Sequence, residues 1–301
     1  MSYKSVGRAV LLCSFLAGLR IDLRAQNNVI DSLKYELKKT DSSQHFPILL
    51  EMFKESIEIS RDSALYYAGK LVTRSLKDAD SLNIVVAFNA QGNMKRELGL
   101  PTCIPDFEFA LAIAKRRGFS NQVKFLLNNL AISHGKFAQY DEALDYNFQS
   151  LQLREEMGSP QDISIALNNI GIVYSNLMDY ENALSFFVRC KEMKEANGIT
   201  WDLDRAYINI GETYMHIDNY DAAHNAIAKV FELCEGGCKD DVLAEAHYAM
   251  AKILLQKEDF AAALEELDKT IEIASQKALR VYEAQSLYLK AMIYWRQNRP
   301  S

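Results

Sequence analysis

Apolar residues recur along most of the chain at spacings of three and four, the signature of helices with one buried stripe. They also recur on a much longer period. In Ala166-Leu167-Asn168-Asn169-Ile170-Gly171-Ile172-Val173-Tyr174, followed by Asp179-Tyr180-Glu181-Asn182-Ala183-Leu184-Ser185-Phe186-Phe187, Gly171 serves as an anchor. Steps of 40 residues from it land on Ala131, Gly211, Ala251 and Ala291, each small and each inside an apolar-periodic stretch. The aromatic after the first helix repeats as Tyr140, Tyr180, Tyr220 and Phe260, and a small residue repeats as Ala143, Ala183, Ala223 and Ala263. A fixed period of this length predicts stacked helix pairs, each burying its apolar face only against its neighbours.

The pattern resembles the tetratricopeptide repeat family. Its places for a large apolar residue, Leu-Gly, Tyr, Ala, an aromatic and a second small residue are held by Leu167, Ile170, Gly171, Tyr174, Ala183, Phe187 and Cys190. In the next unit they are held by Tyr207, Ile210, Gly211, Tyr214, Ala223, Ile227 and Val230. The period exceeds the family's usual ~34 residues, as in its long-repeat branch. HEAT and armadillo units share the longer period but lack these small and aromatic places. The resemblance implies an all-α fold, a right-handed α-solenoid of helix-turn-helix repeats in which helix A lines the concave side.

On this reading residues 26–44 hold a capping helix, from Asn28 to Lys39 with Val29, Ile30, Leu33 and Leu37 on its stripe. Repeats follow at about 45–79, 80–119, 120–159, 160–199, 200–239 and 240–279, with a partial one at 280–301 whose helix has no partner helix. Joints fall at Gly118, Gly158-Ser159-Pro160 and Gly198, where glycine after a helix is a stop signal. The first pair is degenerate, and the second turn, Gly99 to Cys103, lacks the usual aromatic and places Pro105 at the start of its helix B.

Composition narrows the function. At 49% hydrophobic and 25% charged, with 5 prolines and 13 glycines, the chain is globular and its helices largely unbroken. A net charge of -6 argues against a nucleic-acid footprint. Residues 1–25 read as an export signal: Lys4 and Arg8, an apolar run from Ala9 to Leu19 too short to span a bilayer, then Ala25-Gln26. Cleavage near Ala25 would place the mature chain in a bacterial periplasm or envelope. An amphipathic first helix of a cytosolic protein is the alternative.

No phosphate loop, metalloprotease helix or nucleophile elbow occurs, so neither catalysis nor a cofactor or metal is expected. The five histidines are scattered over different repeats, with His134 and His247 at core places. The carboxylate pairs Glu265-Glu266 and Asp240-Asp241 read as solvated charge. Cys234 and Cys238 flank Glu235-Gly236-Gly237, a joint that a disulfide could close, although free thiols fit the sequence as well. Cys190 reads as a packed thiol and Cys103 as part of the irregular turn.

The periodic polar signal points to binding. Asn89, Asn129, Asn169 and Asn209 stand 40 apart in helix A, with Asn128 and Asn168 beside them. On the same face lie Val85, Phe125, Ile165 and Arg205 one turn earlier, Gly92, Ile132, Ile172 and Glu212 one turn later, and Arg96, Lys136, Asn176 and His216 beyond. Carboxamides both donate and accept, so a row of them can pair with an extended peptide backbone, which is what asparagines at this place do in peptide-binding members of the resembled family. Phe125, Ile132, Ile165 and Ile172 would then take apolar side chains, and Arg96 and Lys136 would attract an acidic group. Alternatively each asparagine bonds to its neighbouring helix. The expected function is an exported, non-catalytic module that binds a protein or peptide partner. The alternatives are the extracytoplasmic sensor portion of a longer signalling protein, of histidine kinase or transcription regulator type, and an envelope assembly scaffold.

Overall fold

The structure, a computed structural model, describes residues 29–297; residues 1–25, expected to be an export signal, lie outside them. Every element longer than one turn among the described residues is an α-helix. After α1 (29–39) come α2 (His45–Ile59), α3 (Arg61–Asp78), α4 (Ser81–Glu97), α5 (Cys103–Arg117), α6 (Ser120–Lys136) and α7 (Tyr140–Met157). They continue as α8 (Pro160–Asn176), α9 (Tyr180–Ala196), α10 (Leu203–His216), α11 (Tyr220–Cys234), α12 (Asp240–Gln256), α13 (Phe260–Lys277) and α14 (Arg280–Gln297). The chain divides into two compact units, Met1–Tyr146 and Asn147–Ser301, with the division inside α7.

Three successive B helices, α9, α11 and α13, begin with a side-chain cap. Asp179, Asn219 and Asp259, 40 residues apart, accept the backbone N–H groups of Asn182, Ala222 and Ala262, which would otherwise lack partners at the helix start. Helix A ends just before them in a left-handed residue, Met178, Asp218 or Glu258. There the N–H of the following residue bonds five positions back, to the carbonyl of Tyr174, Tyr214 or Leu254, which seals the helix end. The joints between repeats at Gly118, Gly158 and Gly198 use the same left-handed conformation.

Packing within a repeat is closest where the anchor glycine meets helix B. A Cβ added at Gly171 would lie 2.6 Å from the Phe187 ring, and one at Gly211 would lie 2.8 Å from Ile227. In α4 the residue in this role is Gly92, 2.6 Å from Phe107 by the same construction. The 40-residue step from Gly171 points instead to Gln91. The α4–α5 turn is thus one residue shorter between anchor and aromatic, and this shifts the face that α4 presents. Gly92 and Val85, expected on the open face, are accordingly buried.

In the first unit Ile30, Phe46, Leu49, Met52, Phe53, Ala68 and Leu71 share one core, with Leu33 and Leu37 of α1 packed against it. Val29 stays exposed. Helix α5 begins at Cys103, before Pro105, and Cys103 is fully buried at the place of the recurring small residue, not in the turn. In the second unit Cys190 is buried and its Sγ bonds to the Ser164 carbonyl at 3.2 Å. Burial pushes that thiol up to about 11, so it is held protonated and unreactive. Cys234 and Cys238 are joined as a disulfide across the α11–α12 joint. Glu266 is mostly buried, accepting from Lys269 and bonding His247 Nδ1 at 2.6 Å, so it is not the solvated carboxylate its sequence position suggested. Burial pushes its carboxyl up, but these two bonds outweigh that and hold it below the ordinary value.

Candidate functional site

The asparagines are half-buried between neighbouring A helices, and they bond to one another. In the first unit Asn129 Nδ2 donates to Asn89 Oδ1 at 2.8 Å; in the second, Asn209 Nδ2 donates to Asn168 Oδ1 at 2.9 Å. The shifted register of α4 explains why the sequence separations are 40 and 41: Asn89 occupies the place of Asn168, not that of Asn169. A single row of four equivalent amides is therefore not what the fold builds. Within each unit an asparagine two residues before the anchor ties its helix to an asparagine three before the anchor in the preceding repeat. Asn128 and Asn169 are also engaged.

Arg96 and Lys136 are turned to similar use. Arg96 lies over the Phe107 ring at 5.7 Å and donates to Asn129 Oδ1 at 3.1 Å, and Lys136 Nζ donates to the Arg96 carbonyl at 2.6 Å. Burial lowers the Arg96 pKa from its usual value, the mark of a cation drawn out of water. The expected hook for an acidic group is thus a brace between α4 and α6, because the shifted face of α4 carries Arg96 inward. Phe125 remains 57% exposed and, with Val85, Val86, Asn89, Gln122 and Leu126, lines a shallow cavity of about 190 Å³.

In the second unit the predicted residues converge. A cavity of about 280 Å³ between α8 and α10 is lined by Ile165, Asn168, Asn169, Ile172 and Asn209, together with Arg205. Its remaining wall was not read from the sequence: Ser164, Lys194, Trp201 and Asp202. Helix α10 starts at Leu203, after a left-handed Asp202, leaving Trp201 in the joint with half its surface exposed. Lys194 lies beneath it, 3% exposed, donating to the Trp201 carbonyl at 2.5 Å with its ammonium 4.9 Å from the indole centroid. The available signal was a break in periodicity: a tryptophan after Gly198-Ile199-Thr200, where the other strong repeats already begin their helix. Arg205 is held on the far side by Asp241 at 2.5 Å and Glu245 at 3.1 Å. Burial raises the Glu245 carboxyl pKa, partly countered by Arg205.

Fold and grooves together define an α-helical repeat scaffold with partly open, mixed apolar and amide surfaces on its A helices. The chain carries tetratricopeptide repeats: the family's model matches residues 165–197, 204–236 and 244–277. No curated protein matches it in sequence. Solved structures share the fold at low identity. The apo form of the quorum sensor NprR from B. thuringiensis has a TM-score of 0.65 at 15% identity, covering 91% of this chain and 81% of that one. NprR in complex with its cognate peptide NprX has a TM-score of 0.61 at 15% identity, covering 96% and 86%. BtubC from P. vanneervenii has a TM-score of 0.63 at 16% identity, covering 73% and 92%. No helix among the described residues is long and apolar enough to cross a membrane.

Proposed function

We propose that the chain is a non-catalytic binding module that takes an extended peptide or protein segment on the A-helix face of its second unit. The observation that carries this reading is the α8–α10 cavity. Ile165, Ile172 and Trp201 offer apolar surface for a side chain, while Asn168 and Asn209 use one hydrogen-bonding position on each other and keep the rest for a main chain. Trp201 is the anchor, since a half-exposed indole over a pocket is the residue type that dominates binding at such surfaces. A quorum sensor of the same fold has been crystallised with its cognate peptide, which makes peptide capture compatible with the architecture. The module acts outside the cytoplasm, on the strength of the basic and apolar order of residues 1–25.

The test is calorimetry against a peptide selected from a random library on the immobilised chain. Trp201→Ala is expected to weaken binding by about 2 kcal/mol, and Ile172→Ser by about 1 kcal/mol, with the folded state retained in circular dichroism because each side chain is only about half buried. Unaltered affinity in both variants would remove the cavity from the binding site.

A further inference from the structure

A second cavity in the same unit, of about 330 Å³, shares no lining residue with the first. It lies among α10, α12 and α14 toward their C-terminal ends. Its apolar wall is Met215, Leu255, Leu289 and Met292. Two thioethers and two leucines make an adaptable surface that can close around hydrocarbon of varied shape. The charged groups of the lining, Lys252 and Arg296, are both cations, and none of the lining residues is an aspartate or glutamate. His216 also lines it, its ring stacked on Tyr180 with centroids 4.5 Å apart. Two carboxylates stand close by: Glu212, 4.0 Å from Lys252 Nζ, and Asp218, which accepts from the hydroxyl of the lining residue Tyr220. Glu212 is at the outer limit of ion pairing, so the ammonium is only weakly neutralised.

We propose that this cavity binds a small amphipathic carboxylate, its hydrocarbon body against the Met215, Leu255, Leu289 and Met292 wall and its oxygens accepting from Lys252 and Arg296. The volume is at the lower end of small-molecule sites, which sets the size at a short acyl chain or a single ring. An apolar body alone would leave two cations facing hydrocarbon, and a bare anion would leave the four apolar side chains uncovered. A ligand with both parts satisfies the whole lining. The guanidinium of Arg296 matches a carboxylate bidentately, and the ammonium of Lys252 adds a point charge.

The experiment is calorimetric titration of the whole chain with octanoate, with octan-1-ol and acetate as the two half-ligands. Octanoate is expected to bind saturably at one site, and each half-ligand at least about tenfold more weakly: octan-1-ol because it lacks the charge-assisted bonds, one of which is worth that much, and acetate because it buries no hydrocarbon chain. Lys252→Gln combined with Arg296→Gln is expected to weaken octanoate by at least about tenfold with a retained helical circular dichroism spectrum, Arg296 being exposed and Lys252 partly so. Trp201→Ala is expected to leave octanoate binding intact, so failure of the peptide reading and failure of this one are separable. Absence of saturable octanoate binding, equal binding of octan-1-ol, or equal binding by the double variant would each overturn the assignment.

Discussion

Gly171 shows how much rests on a single hydrogen atom. Its replacement by alanine gains up to about 1 kcal/mol of helix propensity, yet the new methyl carbon would sit 2.6 Å from the Phe187 ring. The ring is buried against Ala183 and Ile210 and has little room to retreat. Overpacking of this kind costs about 1–3 kcal/mol, so Gly171→Ala should lower the midpoint of chemical denaturation. Gly69→Ala, with nothing within 4 Å of the new carbon, should raise it. Equal shifts in the two variants would dismiss the close-packing account. The residue scale is also where sequence reasoning reached furthest and then stopped. The small, aromatic and asparagine places were legible because they recur. The partner of each asparagine was not, because a one-residue difference in the α4–α5 turn changes which face α4 presents and leaves no mark on a 40-residue ruler.

At the scale of elements, the glycine joints between repeats announced themselves, whereas the turns inside repeats did not. Met178, Asp218 and Glu258 hold the same left-handed geometry without glycine, and nothing in the chemistry of Met178 or Glu258 signals it. For a side chain that geometry costs about 1–2 kcal/mol. Met178 is 74% exposed and contributes little packing in return. Met178→Gly should therefore raise the melting temperature, by an amount equivalent to about 0.5–1 kcal/mol after the greater flexibility of glycine in the unfolded chain is deducted. A fall in melting temperature would mean that the methionine makes contacts that outweigh the backbone cost. The late start of α10 belongs to the same scale. Three residues fewer of helix place Trp201 in a joint, and that local shortening creates a wall of the cavity.

For the molecule as a whole, the fold class could be read because stacking repeats makes every core position predictable from its neighbours. Which surfaces stay open could not, since openness depends on side chains that meet across helices. The N-terminal segment is a separate matter. If residues 1–25 direct export, native protein should begin near Gln26, and sequencing its N-terminus checks this; an intact Met1 on protein from the cytosol would contradict it. The chain contains only two tryptophans, and Trp201 lines the cavity between α8 and α10, whereas Trp295 lines neither cavity of the second unit. Indole emission shifts in colour and intensity when its surroundings lose water. With Trp295→Phe the remaining fluorescence comes from Trp201 alone, so occupancy of that cavity can be followed optically in the unlabelled chain.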